Sequence, residues 1–126
     1  LPLVDGNADQ LVQVFLNLVK NAAEAVPEQG GRITITTSYQ HGIKLAVPSM
    51  TAQMQLPLLI TITDNGTGIP NELKNHLFEA FVTSKLRGTG LGLALVAKMI
   101  NDHCGAIEFE SIPGKTTFRV MLPIAL

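Results

Sequence analysis

Leu58-Leu59-Ile60-Thr61-Ile62-Thr63 runs straight into Asp64-Asn65-Gly66-Thr67-Gly68-Ile69-Pro70. The first six residues are apolar and β-branched and read as a central strand. Asp64 then ends that strand with a carboxylate able to accept a hydrogen bond from an exocyclic amine. Gly66 and Gly68 permit close backbone approach or positive φ. D-x-G-x-G also occurs in plain turns, so its meaning depends on what stands around it.

Downstream, Gly88-Thr89-Gly90-Leu91-Gly92-Leu93 immediately precedes an apolar helical pattern. Free backbone N–H groups and the positive end of a helix dipole suit phosphate there. Lys85 and Arg87 supply charge just upstream. No G-K-[ST] follows, so this is not a P-loop, and the acidic residue of a dinucleotide fold is missing. Upstream, Gln10, Gln13, Asn17, Asn21 and Glu24 recur three and four apart, forming one helical stripe. Asn is a poor helix former, so two of them one turn apart suggest side chains kept for their oxygens; a polar helix surface is the plainer reading. In this order along one short chain, the three segments are the parts of a site for ATP and magnesium.

The remaining elements follow from periodicity. Asp5 and Asn7 offer caps to a helix reaching about Val26, stopped by Pro27 and Gly30-Gly31. Leu11, Phe15, Leu18 and Ala22, with Val12, Leu16, Val19, Ala23 and Val26, define its expected buried face. Arg32 to Thr37 alternates with period two and reads as a strand. Gln40 to Gln55, interrupted by Gly42 and Pro48, reads as a loop or irregular hairpin extension without an assigned function. Pro70 opens a short helix through Leu77, and a long one runs from about Leu91 to Cys104, with Gly105 as its stop. Phe78 and Phe81 flank Glu79-Ala80, either packing in the core or anchoring a cover over the nucleotide. Ala106 to Ser111 and Thr116 to Leu122 flank Pro113-Gly114 as a hairpin. This order implies an α+β fold, a two-layer α/β sandwich with a mixed or antiparallel sheet and its helices on one face.

Composition excludes several function classes. The 126 residues make one domain, with 46% hydrophobic and 15% charged residues. A net charge of -1, no Trp and only Tyr39 leave no basic or stacking surface for nucleic acid. The single cysteine, Cys104, excludes an intrachain disulfide, fits a reducing compartment and reads as a small packed residue. His41, His76 and His103 lack metal-ligand spacing. No run approaches ~18 apolar residues, and Leu1-Pro2-Leu3-Val4 resembles no signal peptide.

Asn17-Leu18-Val19-Lys20-Asn21-Ala22 resembles the N box of the GHKL (Bergerat) ATP-binding fold of histidine kinases, gyrase, large heat-shock chaperones and MutL repair proteins. Asp64 to Gly68 resembles its G1 box, Phe78-Glu79-Ala80-Phe81 its F box, and Gly88 to Gly92 its G2 box. Pro113-Gly114-Lys115-Thr116-Thr117-Phe118 is similar to its closing strand, so the resemblance covers essentially the whole chain. Hydrolysing members of the family place a Glu four residues before the metal-binding Asn. Asn17 stands there, which implies a kinase that preserves the γ-phosphoryl group for another acceptor. Phe81-Val82-Thr83-Ser84-Lys85, Gly90 to Leu95, and Ile107-Glu108-Phe109 with Phe118 to Pro123 resemble nitrogen-regulation sensor kinases of the NtrB type.

The resemblance implies that Asn21 binds magnesium with Asn17 near the phosphates, and that Asp64 takes the adenine amine, aided by Gly66, Gly68 and Thr116. Lys85 and the loop of Gly88, Gly90, Leu91 and Gly92 would hold the phosphates; no side chain is assigned as catalytic. Nothing around the three histidines matches the family's phosphoacceptor pattern. The implied identity of residues 1–126 is therefore the catalytic, ATP-binding part of a larger cytoplasmic sensor kinase lacking its dimerisation domain. Implied partners are that histidine-bearing dimerisation domain, an NtrC-like response regulator and a PII signalling protein, with no membrane contact by this domain. A nucleotide- or partner-binding regulatory module and a clamp-type ATPase are the alternatives.

Overall fold

Helix α1, Ala8–Ala25, begins where Asn7 Oδ1 accepts the Gln10 N–H at 3.0 Å, satisfying one of the first turn's unpaired donors. The computed structural model describes residues 3–40, 44–46, 53–79 and 92–124. Val14, Leu18 and Ala22 form the buried face of α1, with Leu11 and Phe15 packed at its border. Val12 and Leu16, expected inside, are 58% and 62% exposed, and Ala23 is also exposed. The apolar positions wrap most of the helix circumference, whereas its protein neighbours cover only one side.

The strands are β1 (Ile33–Tyr39), β2 (Lys44–Ala46), β3 (Gln53–Gln55), β4 (Leu58–Asp64), β5 (Ala106–Ile112) and β6 (Lys115–Leu122). Four of them make a sheet in the order β1-β4-β6-β5, antiparallel at each of its three pairings. The mixed pairing expected as one alternative is therefore not realised among the described strands. β4 and β5, joined through helices, do point the same way, but the hairpin return places β6 between them. β2 and β3 pair antiparallel as a separate two-stranded ribbon, so the 40–55 segment contains a hairpin extension.

Alternation along β4 and β6 turns Leu58, Ile62, Phe118, Val120 and Leu122 to one face, beneath α1 and α3 (Gly92–Asp102). Val96 and Ile100 of α3 complete this core. Phe78 packs edge-on against Phe109 at 5.9 Å and Phe118 at 6.4 Å, taking the core role rather than a loose one. The opposite face is polar: Thr34, Thr63 and Thr117 form one cross-strand row, and Thr36, Thr61 and Arg119 the next. Helix α2 is only Asn71–Lys74, and the chain continues through turns to the buried Leu77.

Helix α3 ends differently from expectation. Cys104, at φ 61°, takes the left-handed position usually given to glycine. The N–H groups of Cys104 and Gly105 donate to the carbonyls of Asn101 and Ile100, both at 3.0 Å, closing the last turn. Gly105 serves packing instead: a Cβ there would meet the Met121 carbonyl oxygen at 2.5 Å. Cys104 is consequently exposed, not packed. His103 uses both ring nitrogens, Nε2 accepting the Asn7 N–H at 3.0 Å and Nδ1 bonding the Met99 carbonyl at 2.7 Å, which ties the start of α1 to the end of α3.

Candidate functional site

Asp64 ends β4 on the core face, 5% exposed, in a row with Ile33 of β1 and Thr116 of β6. Ser111 of β5 extends that row through its pairing with Thr116. Oδ1 of Asp64 accepts the Gly66 N–H at 2.9 Å. Burial pushes the Asp64 carboxyl above its ordinary range, and the Gly66 hydrogen bond partly opposes the shift. A buried carboxylate with one oxygen committed and the other without a hydrogen-bond partner among the described residues suits an amine donor.

The loop after β4 is clasped from two sides. A Cβ on Gly66 would lie 2.5 Å from the Ala25 carbonyl oxygen, so only glycine lets the end of α1 come this close. Gly68 has φ 88°, and its would-be Cβ meets the Ile112 carbonyl oxygen at 2.9 Å. Gly114 of the β5–β6 turn donates its N–H to the Gly66 carbonyl at 2.9 Å. Asn65 faces away from this work: its Oδ1 accepts the Arg32 N–H and its Nδ2 donates to the Gly30 carbonyl, fixing the entry to β1.

Asn17 and Asn21 are half-buried on α1, on the flank beside Leu18 and Ala22. Asn21 precedes Ala25 by four residues, about one turn, so it stands one turn back along α1 from the Ala25–Gly66 contact. The structure thus brings Asp64, Gly66, Gly68 and Thr116 together around the end of β4, while Asn17 and Asn21 lie on α1, whose end at Ala25 approaches Gly66. Gly92 starts α3, whereas Lys85, Arg87, Gly88, Gly90 and Leu91, like Phe81, lie outside the described residues.

Ser111 escaped the sequence reading. It is 8% exposed; its Oγ accepts the Ile69 N–H at 2.8 Å and hydrogen-bonds Thr116 Oγ1 at 2.7 Å. Its carbonyl receives Lys74 Nζ at 2.8 Å. The available signal was the alternation Ile107, Phe109, Ser111, which points a polar residue at the core side of β5. A shallow pocket of ≈ 200 Å³ reaches Asp64 and Asn65 from the polar side of the sheet, lined also by Arg32, Thr34, Thr63, Gly114 and Lys115.

A carboxylate closing a strand and a glycine-clasped loop thus stand beside a helix bearing two amides, on a two-layer sandwich of the GHKL type. The chain belongs to the family described as "Histidine kinase-, DNA gyrase B-, and HSP90-like ATPase", which it matches over residues 6–126. It is 59% identical over 124 residues to the sensory histidine kinase/phosphatase NtrB of Azospirillum brasilense, an alignment taking in 98% of this chain and 31% of that protein. The chain spans about a third of the length of the curated relatives it matches. The mycobacterial sensor histidine kinase MprB is similar in structure, with a TM-score of 0.76 at 30% identity over 96% of this chain and 76% of that one. Full-length ShkA, solved in complex with AMPPNP, gives a TM-score of 0.76 at 26% identity, covering 99% of this chain and 24% of that one. Among the described residues no helix is long and apolar enough to cross a membrane.

Proposed function

We propose that this domain binds Mg-ATP and passes its γ-phosphoryl group to a histidine on a separate dimerisation domain, as the catalytic part of a cytoplasmic nitrogen-regulation sensor kinase. The observation that carries the reading is the buried Asp64 carboxylate, one oxygen held by Gly66, in a row with the Thr116 hydroxyl. Adenine's amine fits the remaining oxygen. The identity to NtrB proteins supports nitrogen control, and the same proposal takes an NtrC-like response regulator as the next phosphate acceptor and a PII protein as regulator.

Asn21 offers a neutral amide oxygen, which fits a magnesium ion whose other ligands are phosphate oxygens and water. Magnesium, when bound, neutralises charge on the phosphates. The protein's own contribution is positional. Asp64, Thr116 and Gly68 fix the base, Asn17 and Asn21 face the phosphate end, and Lys85 with the loop of Gly88, Gly90, Leu91 and Gly92 holds the phosphates. Asn17 stands in place of a water-activating carboxylate, which supports transfer over hydrolysis.

Calorimetric titration with a non-hydrolysable ATP analogue, with and without magnesium, tests the site. Wild type should bind more tightly with the metal, and Asn21→Ala should lose that gain. Labelled ATP supplied together with an NtrB dimerisation domain should then label its histidine. Nucleotide binding without transfer would favour a regulatory module, and steady phosphate release without an acceptor would favour a clamp-type ATPase.

A further inference from the structure

Among the described residues, the polar side of the four-stranded sheet carries Arg32, Lys115 and Arg119, and only Arg119 is neutralised. It holds Glu110 at 3.1 Å and Glu108 at 3.7 Å. Arg32 and Lys115 form no ion pair among the described residues, and both line the shallow pocket of ≈ 200 Å³. Arg32 stands just before β1 and Lys115 opens β6, on the two strands that flank β4. Two strand spacings put their backbones roughly 10 Å apart, close enough for two long side chains to converge on one group. Asn65, which follows β4 between them, folds its side chain back: Oδ1 accepts the Arg32 N–H at 2.8 Å and Nδ2 donates to the Gly30 carbonyl at 2.9 Å. A hollow is left between the two cations. Thr34 and Thr63, paired across β1 and β4, line it from the next row. Thr63 Oγ1 is bonded to Thr117 Oγ1 at 3.1 Å, whereas Thr34 Oγ1 has no partner among the described residues. Asp64 also touches the pocket, but its carboxyl turns to the core face, where Oδ1 accepts the Gly66 N–H. Glu110, in the row of Thr63 and Thr117, is engaged by Arg119.

We infer that this hollow is a second binding site, taking a small doubly charged oxyanion of the phosphate or short-dicarboxylate class between Arg32 and Lys115, with the Thr34 hydroxyl as a further donor. A guanidinium fork and an ammonium point charge are the side chains that recognise such oxygens. Two positive charges without a counter-ion call for two negative ones; a singly charged anion leaves one cation unanswered. The volume falls below the roughly 300 Å³ at which pockets for drug-sized ligands begin, so it suits a small anion and not a nucleotide. The site lies on the far side of the sheet from α1 and α3 and does not depend on the nucleotide reading. Because both cations are exposed, each charge pair contributes little, and the affinity is about millimolar.

The test is an NMR titration of the isotope-labelled chain, without nucleotide, at a pH where both probes are dianions. Inorganic phosphate and succinate are added separately, with ionic strength held constant by sodium chloride. At least one should give saturating shifts at the amides of Arg32, Thr34, Gly114 and Lys115, with a Kd of about 1–10 mM. The tighter of the two tells a phosphate-type ligand from a dicarboxylate. Acetate should bind about fivefold more weakly than the better dianion, the difference expected for one exposed charge pair. Arg32→Gln and Lys115→Gln should each weaken dianion binding by about the same factor. Both side chains are exposed, so neither change threatens the fold, and Lys98→Gln on α3 should leave the affinity as it was. No saturation by either dianion up to about 50 mM, or unchanged affinity in both the Arg32 and Lys115 variants, would overturn the inference. Shifts with a glutamate-rich peptide but with neither small anion would overturn it too, in favour of a docking surface for an acidic protein segment.

Discussion

Replacing Asp64 by Asn separates what this carboxylate does for the fold from what it does for the ligand. Asp64 is 5% exposed and accepts the Gly66 N–H on Oδ1, which leaves Oδ2 for the adenine amine. Asn has one acceptor oxygen. If it keeps Gly66, the amide NH2 confronts the amine of adenine; if it turns over, it confronts the Gly66 N–H. One hydrogen bond to a charged group is lost either way, worth about 1.5–3 kcal/mol, or roughly 10- to 150-fold in Kd. The apo fold should not suffer, because burial disfavours the charged carboxylate and Asn carries no charge to desolvate. Calorimetry should therefore show at least tenfold weaker ATP binding, while denaturation followed by circular dichroism gives an unchanged or higher midpoint. Affinity within twofold of wild type would refute the assignment of Asp64 to the amine. A clear drop in apo stability would refute the claim that burial dominates its electrostatics.

The same carboxyl gives a pH signature. Because its folded pKa is raised, the native state holds more protons than the unfolded state between the ordinary value of 3.8 and the raised one, so apo stability falls as pH rises through that window. ATP affinity should rise over the same window as Asp64 ionises, and Asp64→Asn should flatten both slopes in pH-series melts and titrations. Gly66→Ala pushes a methyl against the Ala25 carbonyl, which should cost about 1–3 kcal/mol in urea unfolding and weaken ATP binding by moving α1 from the loop. Leu18→Ala, at a site 1% exposed, should cost about 2–5 kcal/mol in the same assay and leave the ATP affinity of the folded fraction unchanged.

Much of the molecule was legible because single residues punctuate it. Asn7 caps α1, Pro113-Gly114 turns the last hairpin, and the β-branched runs become β1 and β4. Asp64 stood out because a carboxylate is unexpected at the end of an apolar strand. Periodicity speaks of one element at a time, and the misses lie where neighbours decide. It does not tell that β6 inserts between β4 and β5, nor which side of α1 is covered, so Val12 and Leu16 were placed wrongly. Gly105 looked like a helix stop, but contact with Met121 explains it, and Cys104 adopts the left-handed turn. Ser111 was passed over because its meaning lies in Thr116 and Ile69, which the chain supplies from two other segments.

The place of β6 sets the order in which this site can come into being. It is the last of the described strands along the chain, yet it lies inside the sheet and supplies Thr116 between Asp64 and Ser111. A chain emerging from the ribosome can form α1 and the β1–β4 pair early, but the row of Asp64, Thr116 and Ser111 closes only when β6 slides in. Such late, long-range closure makes nucleotide affinity a reporter of completed folding. A chain cut short before Lys115 would hold Asn21 and Asp64 but lack Thr116 and the inner strand that carries it, and on the proposed reading should not bind ATP.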